Sequence, residues 1–195
     1  RTTGLVAAAA NFPLWEVDVD LRSAVAEALQ KRVILIEDAD AALLAELQPG
    51  GAAAPPTEGT PPLQHTAFLL VLGGGVGSSL SIDGNIHHGA TGLIEAGHMI
   101  VHPQGKECAC GQYGCLEMYA SGTAIAKRAE ELLMGKGINE ELDAKSVAER
   151  ARSASDATAA KIMGEASAAL ATAIIAICRL VDPHVIILAG GVATK

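Results

Sequence analysis

Aromatic residues are nearly missing from this chain of 195 residues: one Trp, two Tyr and two Phe make up 3% of it. A core stacked from large rings is therefore excluded. The 50% apolar content comes mainly from small and aliphatic side chains, and glycine is abundant at 21 residues. That balance suits helices packed closely on a sheet rather than a disordered tail. Basic residues are scarce too, 14 against 22 acidic ones, for a net charge of -8. They are scattered, so general nucleic-acid binding is not expected, because phosphate contacts need clustered Lys and Arg. No long hydrophobic run occurs either. The uncharged stretch 166–178 is bounded by Glu165 and Arg179 and is shorter than the ~20 residues that span a bilayer. It reads as a buried helix, and no membrane partner is expected. Nor does the chain open with the charged, apolar, small-residue order of a signal peptide. A soluble cytoplasmic protein is expected.

Cysteine is also sparse, at four residues, but three of the four are concentrated. His98 is followed by Cys108-Ala-Cys110-Gly-Gln-Tyr-Gly-Cys115. Three thiols and an imidazole can close a tetrahedral Zn²⁺ site, with a glycine at each bend where the backbone turns sharply. The alternative is a set of free or buried thiols without metal. A disulfide framework fits less well, because Cys108 and Cys110 are too close to pair readily and nothing else points to secretion. Cys178, within an apolar helical stretch, reads as a buried small hydrophobe.

Along the chain, the opening residues read as the tail of a strand or hairpin. Asp18 can cap a helix carrying Leu21, Val25 and Leu29 at four-residue spacing. Val33 to Ile36 is an uninterrupted apolar run and predicts a buried strand. Helical periodicity resumes from Ala39 to Leu47. The segment 48–64 is rich in Pro, Gly and Ala and reads as a linker. Ala67 to Leu72 predicts a second strand, running into Gly73-Gly-Gly-Val-Gly77-Ser-Ser. Leu80 and Ile82, before Asp83-Gly84-Asn85, predict a returning strand and turn. Ser121 predicts a helix cap for a helix through Leu133. Further helices are expected at about 143–152 and 155–180, the last stopped by Asp182-Pro183. Val185 to Leu188 predicts a buried strand ending in Gly190-Gly191. Strands alternating with helices make an α/β fold.

Asp38 falls at the carboxyl end of the predicted strand 33–36, where α/β sheets place ligands. A carboxylate there can take a proton from a hydroxyl; it can equally cap the helix that follows. Glu37 and Asp40 flank it, and acids so close repel one another. The Gly73–Gly77 cluster can bring backbone N–H groups close to phosphate, or form a tight hairpin. No Gly-Lys-Ser/Thr follows it, so it is not a P-loop. Gly190-Gly191 after a strand is by itself a turn signal. Glu95 and Glu117 bracket the Cys/His segment, and with one nitrogen of His98 on zinc the other is free to meet a hydroxyl. Such a ring of acceptors suits a polyol such as a sugar; the alternative is a pair of solvated loop charges. His65, His87, His88, His102 and His184 read as surface or hairpin residues.

Together these segments resemble the ROK family of sugar kinases and sugar-responsive repressors. The resemblance rests on Glu95-Ala-Gly-His98 through Cys108-Ala-Cys110-Gly-Gln-Tyr-Gly-Cys115-Leu-Glu117. Supporting it are Leu72-Gly-Gly-Gly-Val-Gly77 with Asp83-Gly84, Tyr119-Ala-Ser-Gly122, and Asp182-Pro-His-Val-Ile-Ile-Leu-Ala-Gly-Gly-Val192. It implies an actin-like ATPase (ribonuclease H-like) fold of two lobes. Residues 1–48 would form an incomplete first lobe, 49–65 a linker, and 66–195 a second lobe with the zinc loop. It also implies ATP-dependent phosphorylation of a hexose, glucose or an N-acetylhexosamine, at the 6-hydroxyl. Asp38 would be the general base. Glu37, Asp38, Glu95, His98 and Glu117 would bind sugar. Gly73, Gly74, Gly75, Gly77, Gly190 and Gly191 would approach the nucleotide. His98, Cys108, Cys110 and Cys115 would hold a structural Zn²⁺, Mg²⁺ would accompany ATP, and the protein would be a homo-oligomer.

The chain departs from the family pattern in two ways. Where the family has Asn-Asp-x-Asn, it reads Glu37-Asp38-Ala39-Asp40, so Glu37 adds charge and loses two donors at the sugar. It also carries no Asp-x-Gly-Gly-Thr-like phosphate loop, hence the incomplete first lobe. A sugar-sensing repressor and an inactive sugar-binding remnant are the rival expectations.

Overall fold

The structure, a computed structural model, describes residues 5–6, 19–54, 65–90, 94–138, 140–153 and 156–193. Six strands and six helices follow one another: β1 Leu5–Val6, β2 Val19–Asp20, α1 Leu21–Leu29, α2 Asp38–Glu46, β3 Ala67–Leu72, β4 Val76–Ile82, β5 Asn85–His87, α3 Glu117–Ala120, α4 Gly122–Met134, α5 Ala144–Arg152, α6 Ala157–Val181 and β6 Val185–Ala189. β1 and β2 pair antiparallel by themselves. The main sheet has the order β5-β4-β3-β6, with β3 and β6 parallel and the other pairs antiparallel.

β3 is apolar throughout because both of its faces are covered. Phe68, Leu70 and Leu72 point to one side and meet Ala169, Ala173 and Ile177 of α6. Leu69 and Ala67 point to the other and meet Leu43 of α2 and Ile187 of β6. This is the alternation that a pleated strand imposes. A third cluster joins α4, α5 and α6 through Ile125, Val147 and Ile162. Short polar side chains cap the helices as their composition dictates: Ser121 accepts from the Ala124 N–H, Asp143 from Ser146 and Asp156 from Ala159.

Several expectations need correction. Residues 33–36 are extended but form no strand, because among the described residues no neighbouring strand pairs with them. Ile34 is 72% exposed and Ile36 49%. The cap of α1 is Asp20, which accepts from the Ser23 N–H; Asp18 lies outside the described residues. Residues 55–64 of the expected linker lie outside them as well. Gly77, Ser78 and Ser79 belong to β4, so the glycine turn is confined to 73–75. The apolar segment 166–178 is part of a continuous helix of 25 residues, long and apolar enough by length and composition to cross a membrane. One stripe of it, including Ile162, Ala169, Ala173 and Ile177, is packed in the core. Cys178 follows Ile177 on the helix and so turns outward, exposed rather than buried.

Candidate functional site

The chemistry-bearing residues converge on the start of β4. The Val76 N–H donates to Glu117 Oε2 at 2.8 Å, which fixes a half-buried carboxylate at the N-terminus of α3. A Cβ on Gly75 would lie 2.5 Å from that same oxygen, and one on Gly97 would lie 2.2 Å from the Val76 carbonyl oxygen. Gly97 belongs to the 3₁₀ turn Ala96–His98, so the turn carrying Glu95 and His98 sits directly on β4. Gly77 is in ordinary contact range of Ala39, where its Cβ would be 3.7 Å from the Ala39 Cβ. Three segments distant in sequence therefore meet along Gly75–Gly77 at the start of β4: the first turn of α2 on Gly77, the Glu95–His98 turn on Val76, and Glu117 on Gly75 and Val76. A side chain at Gly97 would collide with backbone, whereas one at Gly75 would meet only the end of the Glu117 side chain and one at Gly77 only ordinary contacts.

Asp38 is the first residue of α2, and its Oδ1 accepts from the Ala39 N–H at 2.8 Å. It is exposed, whereas Asp40, two residues further along the same first turn, is buried. Acidic residues in a first turn complement the positive end of the helix. Glu37, the half-buried N-cap residue in extended conformation, makes no side-chain cap bond. Asp40 accepts from the Ser79 hydroxyl at 2.7 Å and faces His88 Nδ1 at 3.4 Å. His88 thus faces a buried carboxylate rather than standing apart on the hairpin. His102 likewise stacks on Tyr119, and His184 Nδ1 accepts from the Thr66 N–H.

The ligand atoms of His98, Cys108, Cys110 and Cys115 all lie within 4.8 Å of one another. His98 Nδ1 is 3.6 Å from Cys108 Sγ, and Cys110 Sγ is 3.6 Å from Cys115 Sγ. A tetrahedral ion with Zn–S bonds of about 2.3 Å needs sulfurs about 3.8 Å apart, so the donors are spaced to hold one. The backbone builds this knot locally. Cys108 N–H donates to the Gln112 carbonyl, Gly111 N–H to Cys108, and Gly114 N–H to Lys106. Gly111 and Gly114 take the left-handed conformation at φ +85° and +80°, which favours glycine. Burial pushes the Cys115 thiol up to about 12, while the Gln112 backbone N–H holds the Cys110 thiol below its usual range. Three sulfurs this close would repel as thiolates, and a dication is what reconciles them. This is a candidate metal centre.

The carboxyl ends of the parallel strands β3 and β6 lie side by side and open a second region. Gly190, at φ +92°, passes so close to β3 that a Cβ would meet the Leu72 carbonyl oxygen at 2.4 Å. Gly122 N–H donates to the Gly73 carbonyl at 2.7 Å, placing the N-terminus of α4 beside the glycine turn. Between them is a cavity of about 800 Å³ lined by Gly73, Gly74, Thr123, Lys127, Lys145 and Gly191, among others. Gly73, Gly74 and Gly191 thus come together as expected of nucleotide contacts. Gly75, Gly77 and Gly190 face Glu117, Ala39 and Leu72 instead. Thr123, Lys127 and Lys145 were missed because helix residues carry no local sign of the cavity they line.

A Gly97→Ala substitution tests the closeness of the turn to β4. Its methyl cannot fit 2.2 Å from the Val76 carbonyl oxygen, so the turn must move. Ligand binding that depends on Glu95 and His98 is expected to weaken about tenfold or more, by analogy with the losses that misplaced groups cause, and metal affinity is expected to fall with it, because His98 moves with the turn. Unaltered binding by titration calorimetry would contradict this placement.

The mixed sheet flanked by helices, with a glycine-lined cavity at the ends of its parallel strands, has the actin-like ATPase fold of the ROK sugar kinases it resembles. The chain belongs to the ROK family, whose family model matches residues 1–195. It is 32% identical over 203 residues to a glucokinase from Thermotoga maritima, covering 99% of the chain and 61% of that relative. The solved ROK family glucokinase from Streptomyces griseus, in complex with glucose and AMPPNP, is similar with a TM-score of 0.72 at 27% identity, over 89% of this chain and 56% of that one. A ROK family transcriptional regulator, a homolog of the E. coli MLC protein, is similar with a TM-score of 0.75 at 26% identity, over 98% of this chain and 47% of the regulator. The chain thus spans 61% of the first glucokinase's length and 56% of the second's.

Proposed function

We propose that this chain carries the sugar site and the general base of an ATP-dependent kinase that phosphorylates a hexose at its 6-hydroxyl. The acceptor is glucose or an N-acetylhexosamine. The observation that carries this reading is the meeting of α2, the Glu95–His98 turn and Glu117 along Gly75–Gly77 at the start of β4. Glu37, Glu95 and Glu117 accept from sugar hydroxyls. His98 turns Nδ1 toward Cys108, which leaves Nε2 for a sugar oxygen. His98, Cys108, Cys110 and Cys115 would hold Zn²⁺, whose contribution is to order this loop. Asp38 takes the proton of the 6-hydroxyl. The freed oxygen forms a bond to the γ-phosphorus of Mg-ATP, the bond to the β,γ-bridging oxygen breaks, and ADP leaves. Little covalent work falls to the protein in such a transfer, so positioning and charge stabilisation dominate. Gly73, Gly74 and Gly191 let the backbone approach the nucleotide closely.

The position of the new phosphate tests this reading. Phosphorus NMR of the product formed by the full-length protein from hexose and Mg-ATP is expected to show a phosphate ester on carbon 6. An anomeric phosphate would contradict the roles given to Asp38 and the three glutamates. A second reading, a sugar-sensing regulator, draws on the likeness to the ROK regulator, and an inactive sugar-binding remnant draws on Glu37 in place of an amide. Both predict sugar binding without any product.

A further inference from the structure

β4 places two hydroxyls back to back inside the protein. Ser78 and Ser79 are 4% and 0% exposed, and successive side chains on a strand point to opposite faces. Ser78 Oγ donates to the Ile94 carbonyl at 2.6 Å and accepts from the Ala96 N–H at 2.8 Å. It thereby grips Glu95 from both sides and ties the sugar-binding turn to the sheet. Ser79 Oγ donates to Asp40 Oδ1 at 2.7 Å. Asp40 is itself buried and lies in the same first turn of α2 as Asp38. A buried carboxylate with a hydroxyl donor is costly to separate from that donor, so the bond resists rotation or sliding of the helix.

We propose that Ser78 and Ser79 are paired positioning residues that set the geometry between the two halves of the site. Ser78 fixes the acceptors that hold the sugar, and Ser79, through Asp40, fixes the helix that presents Asp38. This rests on the kinase reading given above. Neither serine touches substrate. Their separate partners predict separable effects. Loss of the Ser78 hydroxyl loosens the turn that binds sugar, so KM and the sugar Kd rise. Loss of the Ser79–Asp40 bond loosens α2, so it lowers kcat through Asp38 and raises the sugar Kd only to the smaller extent that Glu37 contributes.

The test is steady-state kinetics, sugar titration and amide hydrogen exchange on the full-length protein and its Ser78→Ala, Ser79→Ala, Asp40→Ala and Asp40→Asn variants. Ser78→Ala is expected to raise the sugar Kd about tenfold, as loss of a buried bridging hydroxyl would, and to speed exchange at the Ala96 amide. Ser79→Ala and Asp40→Ala are expected to lower kcat about tenfold or more, with a smaller rise in sugar Kd than Ser78→Ala causes and no change in exchange at Ala96. Asp40→Asn keeps an oxygen acceptor for Ser79 and is expected to restore most of kcat. Variants that lower only the melting temperature, with kcat, Kd and Ala96 exchange unchanged, would overturn the proposal. A wild-type protein that binds sugar without turnover would defeat the kinase reading alone; the Ser78→Ala shift in Kd and in Ala96 exchange would still decide the pairing. If the wild type binds no sugar, the exchange at Ala96 and around Asp38 decides it, and no change there overturns it.

Discussion

Asp38→Asn is expected to abolish sugar-dependent ADP release while leaving sugar binding and metal content in place. The amide keeps the size of the carboxylate and keeps an oxygen to accept from the Ala39 N–H, so α2 has no reason to unwind. It cannot take a proton at neutral pH. Removing a positioned general base costs about 10²–10⁴ in rate, and the loss should appear in kcat rather than in sugar affinity. Asp38 is exposed, whereas Asp40 is held in the protein interior by Ser79. Of the two, only Asp38 is placed to meet a substrate, so Asp40→Asn should be the milder change. An Asp38→Asn protein with near-normal turnover would remove the base from this account. Coupled spectrophotometric measurement of ADP, beside titration calorimetry with the sugar, separates the two parameters.

The second large effect concerns the Cys/His knot. Cys115→Ser, or prolonged chelation, is expected to release one zinc ion per chain and weaken sugar binding by about two orders of magnitude, the upper range for lost metal-site order. The reason lies in the wiring of the loop. Cys115 is fully buried, and its neighbours Gly114 and Leu116 are bonded to Val101 and Met99 across the knot. Glu117 follows at once, with its carboxylate on Val76. Losing the ion frees the strand of chain that begins α3 and the turn that bears His98, from opposite ends of the same loop. Elemental analysis checks the stoichiometry, and calorimetry checks the sugar affinity. Full sugar affinity in a metal-free protein would show that the knot holds itself together without an ion.

The Cys/His cluster was legible in the sequence because its members are local: three of the four lie between residues 108 and 115, with glycines where the bends must be. The strands β3 and β6 were legible for a different reason, since continuous apolar runs read as strands; β3 is covered on both faces as expected, whereas β6, at the end of the described sheet, leaves Leu188 exposed rather than buried. Asp38 was harder. The run Val33 to Ile36 has the composition of a buried strand, yet composition cannot supply the neighbouring strand that would pair with it. Asp38 therefore opens a helix instead of closing a strand. Ser78 and Ser79 stayed silent because their partners are 16 and 39 residues away. Three serines in β4, at 78, 79 and 81, were the available signal, since most buried hydroxyls find a partner. The outward turn of Cys178 was a matter of helical phase, one residue past the buried Ile177.

The central claim is that α2, the Glu95–His98 turn and Glu117 form a site that binds a hexose and activates its hydroxyl. The most direct test is ADP release by the full-length protein with Mg-ATP across a hexose panel including glucose and N-acetylmannosamine, run beside Asp38→Asn. The account predicts turnover that depends on one or a few of these sugars and vanishes in the variant. Turnover independent of sugar, or sugar-dependent turnover that survives Asp38→Asn, would contradict it.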